Sequence, residues 1–428
     1  MRRGTGETVR RTGETVRRAY GGWRFAVAAL VCLVGSALCS PLQADAQPAP
    51  YTIALVTSLT GPAGTESAGD PATFEARVAL QNAEGGVGGH KLVPLVIDDQ
   101  TSPTGIESAV NDAISKGAVG IVAVSPVFFL GAKEAQQAGV PVTGTYSDGP
   151  EWGQQPYTNM FASDEGSENP KDPVNTLEGT ILRHFGAKVL GTYGYSISPS
   201  STHGAIESAD SFKHAGGKAP IVDTSLPYGS VDFTSVALVA KQDHVNAIFP
   251  AMQDSSNFAL AQALEQAGVK VKTAVYLSGL GPAVVHSPAW SSLQGSYFGS
   301  IFRPFSLPNT GTRQMQAALE KYAHWSSTQF PTLYQYESWA GADLMIKGLQ
   351  LAGINPTRAR VITALRGIKA YDANGLLPNP LDYATTFGHD PPKQCIWVLQ
   401  AEKNGFVPTQ AQPFCGTDIP GTAVATSS

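Results

Sequence analysis

Two cysteines and a scatter of histidines are the first residues to test for chemistry. Cys395 and Cys415 stand 20 positions apart near the C-terminus. Two sulfurs without a neighbouring histidine do not fill a tetrahedral shell, so no metal site is expected. The eight histidines are dispersed, and no two share i, i+3 or i, i+4 spacing. His203 and His214 lie at opposite ends of one surface-type helix and read as solvated. The glycine cluster Gly85-Gly86-Val87-Gly88-Gly89 could suggest a dinucleotide loop. It follows a helical stretch and precedes a strand, the reverse of the order that such a loop needs. No Gly-x-Ser-x-Gly elbow, His-Glu-x-x-His pair or Gly-x-x-x-x-Gly-Lys-Ser/Thr loop occurs. No catalytic set and no cofactor is therefore expected, and an enzyme would have to work without a recognisable motif.

The elements around these residues alternate strand and helix. Tyr51–Val56, Leu92–Ile97, Ala118–Val124 and Val140–Thr143 are short apolar or β-branched runs. Between them, Ala76, Ala79, Leu80 and Ala83, and then Ile106, Ala109, Val110 and Ala113, recur at helical spacing. Another helix is predicted near 131–138. The pattern restarts with strands at 188–193, 219–224, 245–249 and 273–277, and helices at 202–214, 233–241 and around 260–267. Short, almost wholly apolar strands in βα units imply parallel sheets covered on both faces. Three helices follow at 311–323, 332–352 and 356–367, and then a strand-like Cys395–Leu399 before a turn at Asn404-Gly405.

Seven arginines precede an apolar run from Phe25 to Leu38, and Ala44-Asp45-Ala46 offers a small-x-small cleavage point. That order is a secretory signal peptide, expected to span 1–46. The apolar run is shorter than the ~20 residues that cross a bilayer. Thr-Gly-Glu-Thr-Val-Arg-Arg occurs at 5–11 and again at 12–18, read as a duplication upstream of the true start. Simple cleavage ranks above lipidation at Cys39, and the residues after Arg17-Arg18 fit twin-arginine export poorly. Without the signal, 22 basic residues face 31 acidic ones. Such a surface repels phosphate backbones and argues against nucleic acid. About 380 residues exceed one typical core, so two domains are expected. In an oxidising compartment Cys395 and Cys415 would form a disulfide, worth about 3 kcal/mol in the chain-entropy model.

Leu59-Thr60-Gly61-Pro62, Asn82 through Leu92 and Ile97-Asp98-Asp99-Gln100-Thr101-Ser102-Pro103 resemble the type I periplasmic binding proteins of the branched-chain amino acid group. The likeness is specific in the first third and rests on element order beyond it. It implies an α/β fold of two doubly wound parallel-sheet lobes joined by three crossovers, near 162–165, 301–304 and 376–379. The lobes would be 47–163 with 303–376 and 164–302 with 377–418, leaving 419–428 as a disordered tail. It further implies an exported, monomeric substrate-binding protein of an ABC importer, serving a membrane permease. The same fold also serves as a sensing receptor, which would need a membrane helix or signalling domain that Ala423–Ser428 does not supply.

Ligands of open α/β sheets meet the carboxyl ends of the strands, so the loops there hold the candidates. After the third strand these are Ser125 and Phe128, with Pro126 removing a backbone donor. Phe128 divides evenly between ligand contact and core. Ser147 is expected after the fourth strand, while Asp148 reads as turn chemistry. Asp164 falls at the first crossover and Tyr195 follows the strand 188–193. Gln253 and Asp254 follow 245–249, with Asp254 open to a plain helix-capping reading. Ser278 stands where amino-acid binders carry an acid that pairs with the ligand ammonium. An unpaired buried charge is costly, so losing that acid predicts a ligand less zwitterionic than leucine, an apolar or aromatic acid or an amide.

Overall fold

A computed structural model describes residues 48–145, 150–165, 169 and 171–424. The signal region 1–46, with Cys39 and the cleavage point, lies outside these residues. Five strands form the first sheet: β1 (Tyr51–Thr57), β2 (Leu92–Asp98), β3 (Gly120–Val124), β4 (Val142–Gly144) and β5 (Met160–Ala162). Their order is β2-β1-β3-β4-β5, and every pairing is parallel. All five residues of β3 are buried, as a central strand covered on both faces requires. The glycine cluster ends the helix Asp70–Ala83 as expected. Gly86 has φ +75°, and a Cβ there would meet the His90 carbonyl oxygen at 2.0 Å.

The second sheet comprises β6 (Val189–Tyr195), β7 (Lys218–Leu226), β8 (Ala247–Ile248), β9 (Thr273–Tyr276), β10 (Tyr297–Ser300), β11 (Lys393–Glu402), β12 (Gly405–Pro408) and β13 (Phe414–Thr417). Its order is β12-β11-β10-β9-β8-β6-β7, with β13 paired to β11. From β7 to β10 it is parallel, but β11 runs antiparallel to β10, β12 and β13. The sheet is thus mixed, where the sequence pattern predicts a parallel one. The turn at Asn404-Gly405 returns the chain as a hairpin and accounts for the antiparallel β11–β12 pair. The antiparallel register of β11 with β13 sets Cys395 opposite Cys415, and the two form a disulfide.

Each sheet buries a cluster on both of its faces. On the first, Ile53, Leu55, Val122 and Val124 face the late helices, while Ala54, Val56, Ile121 and Ala123 face the helix Pro103–Ser115. On the second, Ile248 and Tyr276 belong to one cluster, Ala247 and Val275 to the other. This alternation is the period-2 geometry of strands with two covered faces. Helix Leu333–Leu351 starts at a capping box between Thr332 and Gln335. It lies tightly on the first sheet, since a Cβ on Gly341 would sit 2.7 Å from the Val122 side chain. The close fit fixes the start of this helix against the carboxyl ends of β3 and β4. Fraying is expected from 419, but the described residues 419–424 are anchored. Ile419 and Val424 are buried with Val174, and the Ile419 N–H donates to the Val174 carbonyl.

Candidate functional site

A cavity of about 230 Å³ opens where the carboxyl ends of strands from both sheets meet. Thr145 and Asp164, which follow β4 and β5, line it from the first sheet, joined by Leu333, Tyr334 and Glu337 of the helix Leu333–Leu351. From the second sheet come Tyr195 at the end of β6, Pro250 through Gln253 after β8, Ser278 after β9 and Glu178 of the helix Leu177–His184. Much of the remaining wall is apolar, with Leu177, Met252, Leu277 and Ile301 among its residues.

The polar groups divide into satisfied and unsatisfied ones. Asp164 accepts from the Thr145 hydroxyl at 2.5 Å and from the Glu165 N–H at 2.9 Å. Burial still raises its carboxyl above the ordinary range. The Tyr195 hydroxyl donates to Ser256 Oγ at 2.6 Å and accepts the Gln253 N–H at 3.2 Å, and its ring meets that of Tyr228 at 4.8 Å. By contrast, Glu337 is only 3% exposed and its Oε2 has no hydrogen-bond partner. Burial first, and the Asp164 carboxylate second, push its carboxyl well above the usual range. Gln253, 5% exposed, has neither side-chain amide atom paired. Burial and the neighbouring Glu207 push the half-buried Glu178 to about 8.

Beside the cavity, a contact joins elements of the two sheets. Glu66, in the short helix Gly64–Ser67 after β1, accepts the Asp254 N–H at 2.8 Å. Asp254 opens the helix Asp254–Gln266, so the Glu66 carboxylate sits at that helix's N-terminus, where N–H groups are free to donate. Burial, then the charge of Asp254, raises Glu66 well above its ordinary value, and burial pushes Asp254 to about 6.

Of the residues singled out from the sequence, Asp164, Tyr195, Gln253 and Ser278 line this cavity together. Ser147 lies outside the described residues. Three others are directed elsewhere. Ser125 is fully buried and its Oγ accepts the Val127 N–H, so its own loop uses it. Phe128 is 1% exposed and packs in the first sheet's core, 6.4 Å from the Trp152 ring. The core half of its reading is the one realised, because the turn after β3 points the ring back under the sheet. Asp254 stands just inside its helix, and Gln253 holds the capping position. Glu337 and Glu178 went unnoticed in the sequence. The available signal was an acid set among Leu333, Tyr336 and Ala340, the apolar face of a deeply buried helix.

Two covered sheets with a polar-set cavity at their facing strand ends define a two-lobed ligand-binding fold of the α/β class. The chain matches the model of the periplasmic binding protein family over residues 50–405, and it belongs to that family. No curated protein matches it. Among solved structures it resembles a branched-chain amino acid ABC transporter protein from Thermus thermophilus with bound valine. That pair shares 16% identity at a TM-score of 0.70, covering 86% of this chain and 97% of the other. It also resembles a fatty acid ABC transporter substrate-binding protein from Thermomonospora curvata (15% identity, 88% and 95% covered, TM-score 0.68). A solute-binding protein from R. palustris in complex with benzoate is similar too (15%, 87% and 99% covered, TM-score 0.66). At these identities the likeness is one of fold. Proteins of this family are exported substrate-binding components of ABC transporters, and among the described residues no helix is long and apolar enough to cross a membrane.

Proposed function

We propose that this chain is the extracytoplasmic substrate-binding protein of an ABC importer, capturing a small organic molecule between its lobes and handing it to a membrane permease. The observation that carries this reading is the cavity walled by both sheets, with Glu337 on one side and Gln253 on the other, each buried with unpaired polar atoms. Buried polar groups are normally satisfied, and a ligand in the cleft is the simplest partner for these.

The expected lobes are 47–163 with 303–376 and 164–302 with 377–418, joined by three crossings, and the packing of Leu377, Leu381 and Tyr383 in the first sheet's core favours a last crossing further along the chain. A ligand that touches both lobes favours the closed form, whereas one held by a single lobe would shift nothing. The mature protein acts as an exported monomer after loss of residues 1–46, without chemistry on its ligand. Asp164, Tyr195, Gln253, Ser278 and Glu337 are the contacts. The neighbours' ligands, valine, fatty acid and benzoate, show how freely this fold varies its cargo. The apolar walls favour the expectation of an apolar body over that of a leucine-like zwitterion. They sit beside carboxyls, however, and the acid half of that expectation is set aside in favour of an amide or an amine.

The test is native mass spectrometry of the exported protein purified from its own host, with small-angle scattering before and after the retained molecule is removed. A retained small organic molecule whose loss expands the particle is the expected result. No retained molecule, or no change in dimensions when one is removed, would sink the proposal.

A further inference from the structure

The importer reading leaves the ligand's class open, and the cleft's own charges narrow it. Four carboxyl side chains, Asp164, Glu165, Glu178 and Glu337, line the cavity, and among the described residues its wall holds no lysine, arginine or histidine. Acids alone would not mark a site. The second observation is Glu337, buried to 3% exposure with Oε2 unpaired, and facing it across the cavity Gln253, whose amide is wholly unpaired. The Thr145 side chain gives Glu337 one hydrogen bond, but a buried carboxyl with no cation and one oxygen unpaired is an incomplete arrangement, since burial drives it toward the neutral form.

We infer that the ligand is an organic cation, an ammonium carried on an apolar body and lacking a carboxylate. This inference rests on the importer reading above. An ammonium brings three donors and no acceptor, which suits Glu337 and the carbonyl of Gln253. The Tyr195 and Tyr228 rings, 4.8 Å apart on the second sheet's side, give the cation an aromatic face. Leu177, Met252, Leu277 and Ile301 receive the hydrocarbon.

A ligand carboxylate would find the unpaired Gln253 Nε2 as a donor, but four carboxyls stand around it. The loop after β3 offers Pro126, which has no N–H, and Ser125 is used within its own loop. The Thr145 hydroxyl donates to Asp164. The N-terminus of the helix Asp254–Gln266, where an anion would be held best, is already taken by Glu66. A metal ion fits no better, because among the described residues no three His, Cys, Asp or Glu side chains are grouped to hold one.

The raised carboxyls add a consequence. An ammonium docking beside Glu337 favours the charged carboxylate and so opposes the rise that burial imposes on it.

The experiment is titration calorimetry of the mature protein at pH 7.5 in phosphate buffer. The probes are two matched series: 2-phenylethylamine, 2-phenylethanol, 3-phenylpropanoate and phenylalanine; then hexylamine, hexanol, hexanoate and leucine. In at least one series the amine should bind tenfold or more tighter than its alcohol, and a hundredfold tighter than its acid. Glu337→Gln should lower the amine-to-alcohol ratio at least tenfold without a drop in melting temperature. An acid or amino acid that binds tightest, or an alcohol equal to the amine, overturns the cation while leaving the importer reading in place. Silence from every probe also overturns it, and the retained-molecule measurement then judges the importer reading separately.

Discussion

Two carboxyl-rich regions at the carboxyl end of the first sheet contrast sharply. At the end of β2, Asp98 accepts from the Leu59 N–H at 2.9 Å, the Thr60 N–H at 3.2 Å, the Thr60 hydroxyl at 2.6 Å and the Gln100 N–H at 2.8 Å. Burial opposes its charge, but those donors outweigh it and hold the carboxyl below its ordinary value. Around Glu337 the same functional group is buried with an unpaired oxygen and held high. One region is finished within the chain and the other is not. A carboxylate saturated by its own backbone clamps a turn, whereas one left short of donors is kept for a partner from outside.

The largest effect that sharpens this contrast is expected on the scaffold side. Phe128 follows Pro126, which lines the cavity, yet its ring is core. Phe128→Ala should cost about 3–5 kcal/mol, the range for truncating a buried aromatic. Chemical denaturation would measure it, and the relative order of ligands in a binding panel should not change. A variant of normal stability with altered ligand order would move Phe128 into the site.

Asp98 and Glu337 should then respond with opposite signs. Asp98→Ala strands several donors at a partly exposed turn and should destabilise by about 1–2 kcal/mol. Because the Asp98 carboxyl is lowered in the fold, its stabilisation is present above its ordinary value of 3.8 and is lost as pH falls through the lowered one. Glu337→Gln removes an uncompensated buried acid and should stabilise the empty protein by about 1 kcal/mol near neutral pH. Here the folded carboxyl is raised, so the wild-type advantage holds below the ordinary 4.5 and fades as pH climbs toward the raised value. Melting curves from pH 5 to 8 should fall less steeply for Glu337→Gln than for the wild type. Equal slopes would place Glu337 among satisfied groups and erase the contrast.

The same contrast explains what could be seen without coordinates. The motif that carries the family resemblance, Leu59 through Pro62 with Asp98-Asp99, is the finished region. It is legible because local hydrogen bonds between fixed positions leave a fixed spelling. The βα alternation and the cysteine pair were legible for a similar reason, since periodicity and compartment act along the chain. Strands β5, β10, β12 and β13 were not, having only three or four residues each and drawing their stability from neighbours distant in sequence. In the cleft, Asp164, Tyr195, Gln253 and Ser278 could be found because strand ends point to them. Glu337 could not, because it reaches the cavity from the first turns of a helix whose register depends on Gly341 lying against Val122.

The smallest expected effect concerns the contact between elements of the two sheets. Glu66 and Asp254 meet with both carboxyls raised, chiefly by burial and, for Glu66, by the charge of Asp254. The groups that face the pair include Tyr334, which hydrogen-bonds Glu66, and Ser278, which hydrogen-bonds Asp254. Since the folded values are raised, the contact is fully supported below the ordinary values of 4.5 and 3.8, and support is lost as pH rises through about 6 for Asp254. Ligand-free wild-type protein should therefore be slightly more compact by small-angle scattering at pH 5 than at pH 8. Glu66→Gln keeps an oxygen acceptor for the Asp254 N–H while removing one charge, so its dimensions should barely change between those two pH values. If the wild type shows no such difference, Glu66 belongs with Asp98 as a finished cap that holds one helix end, and the cleft's unfinished chemistry ends at Glu337 and Gln253.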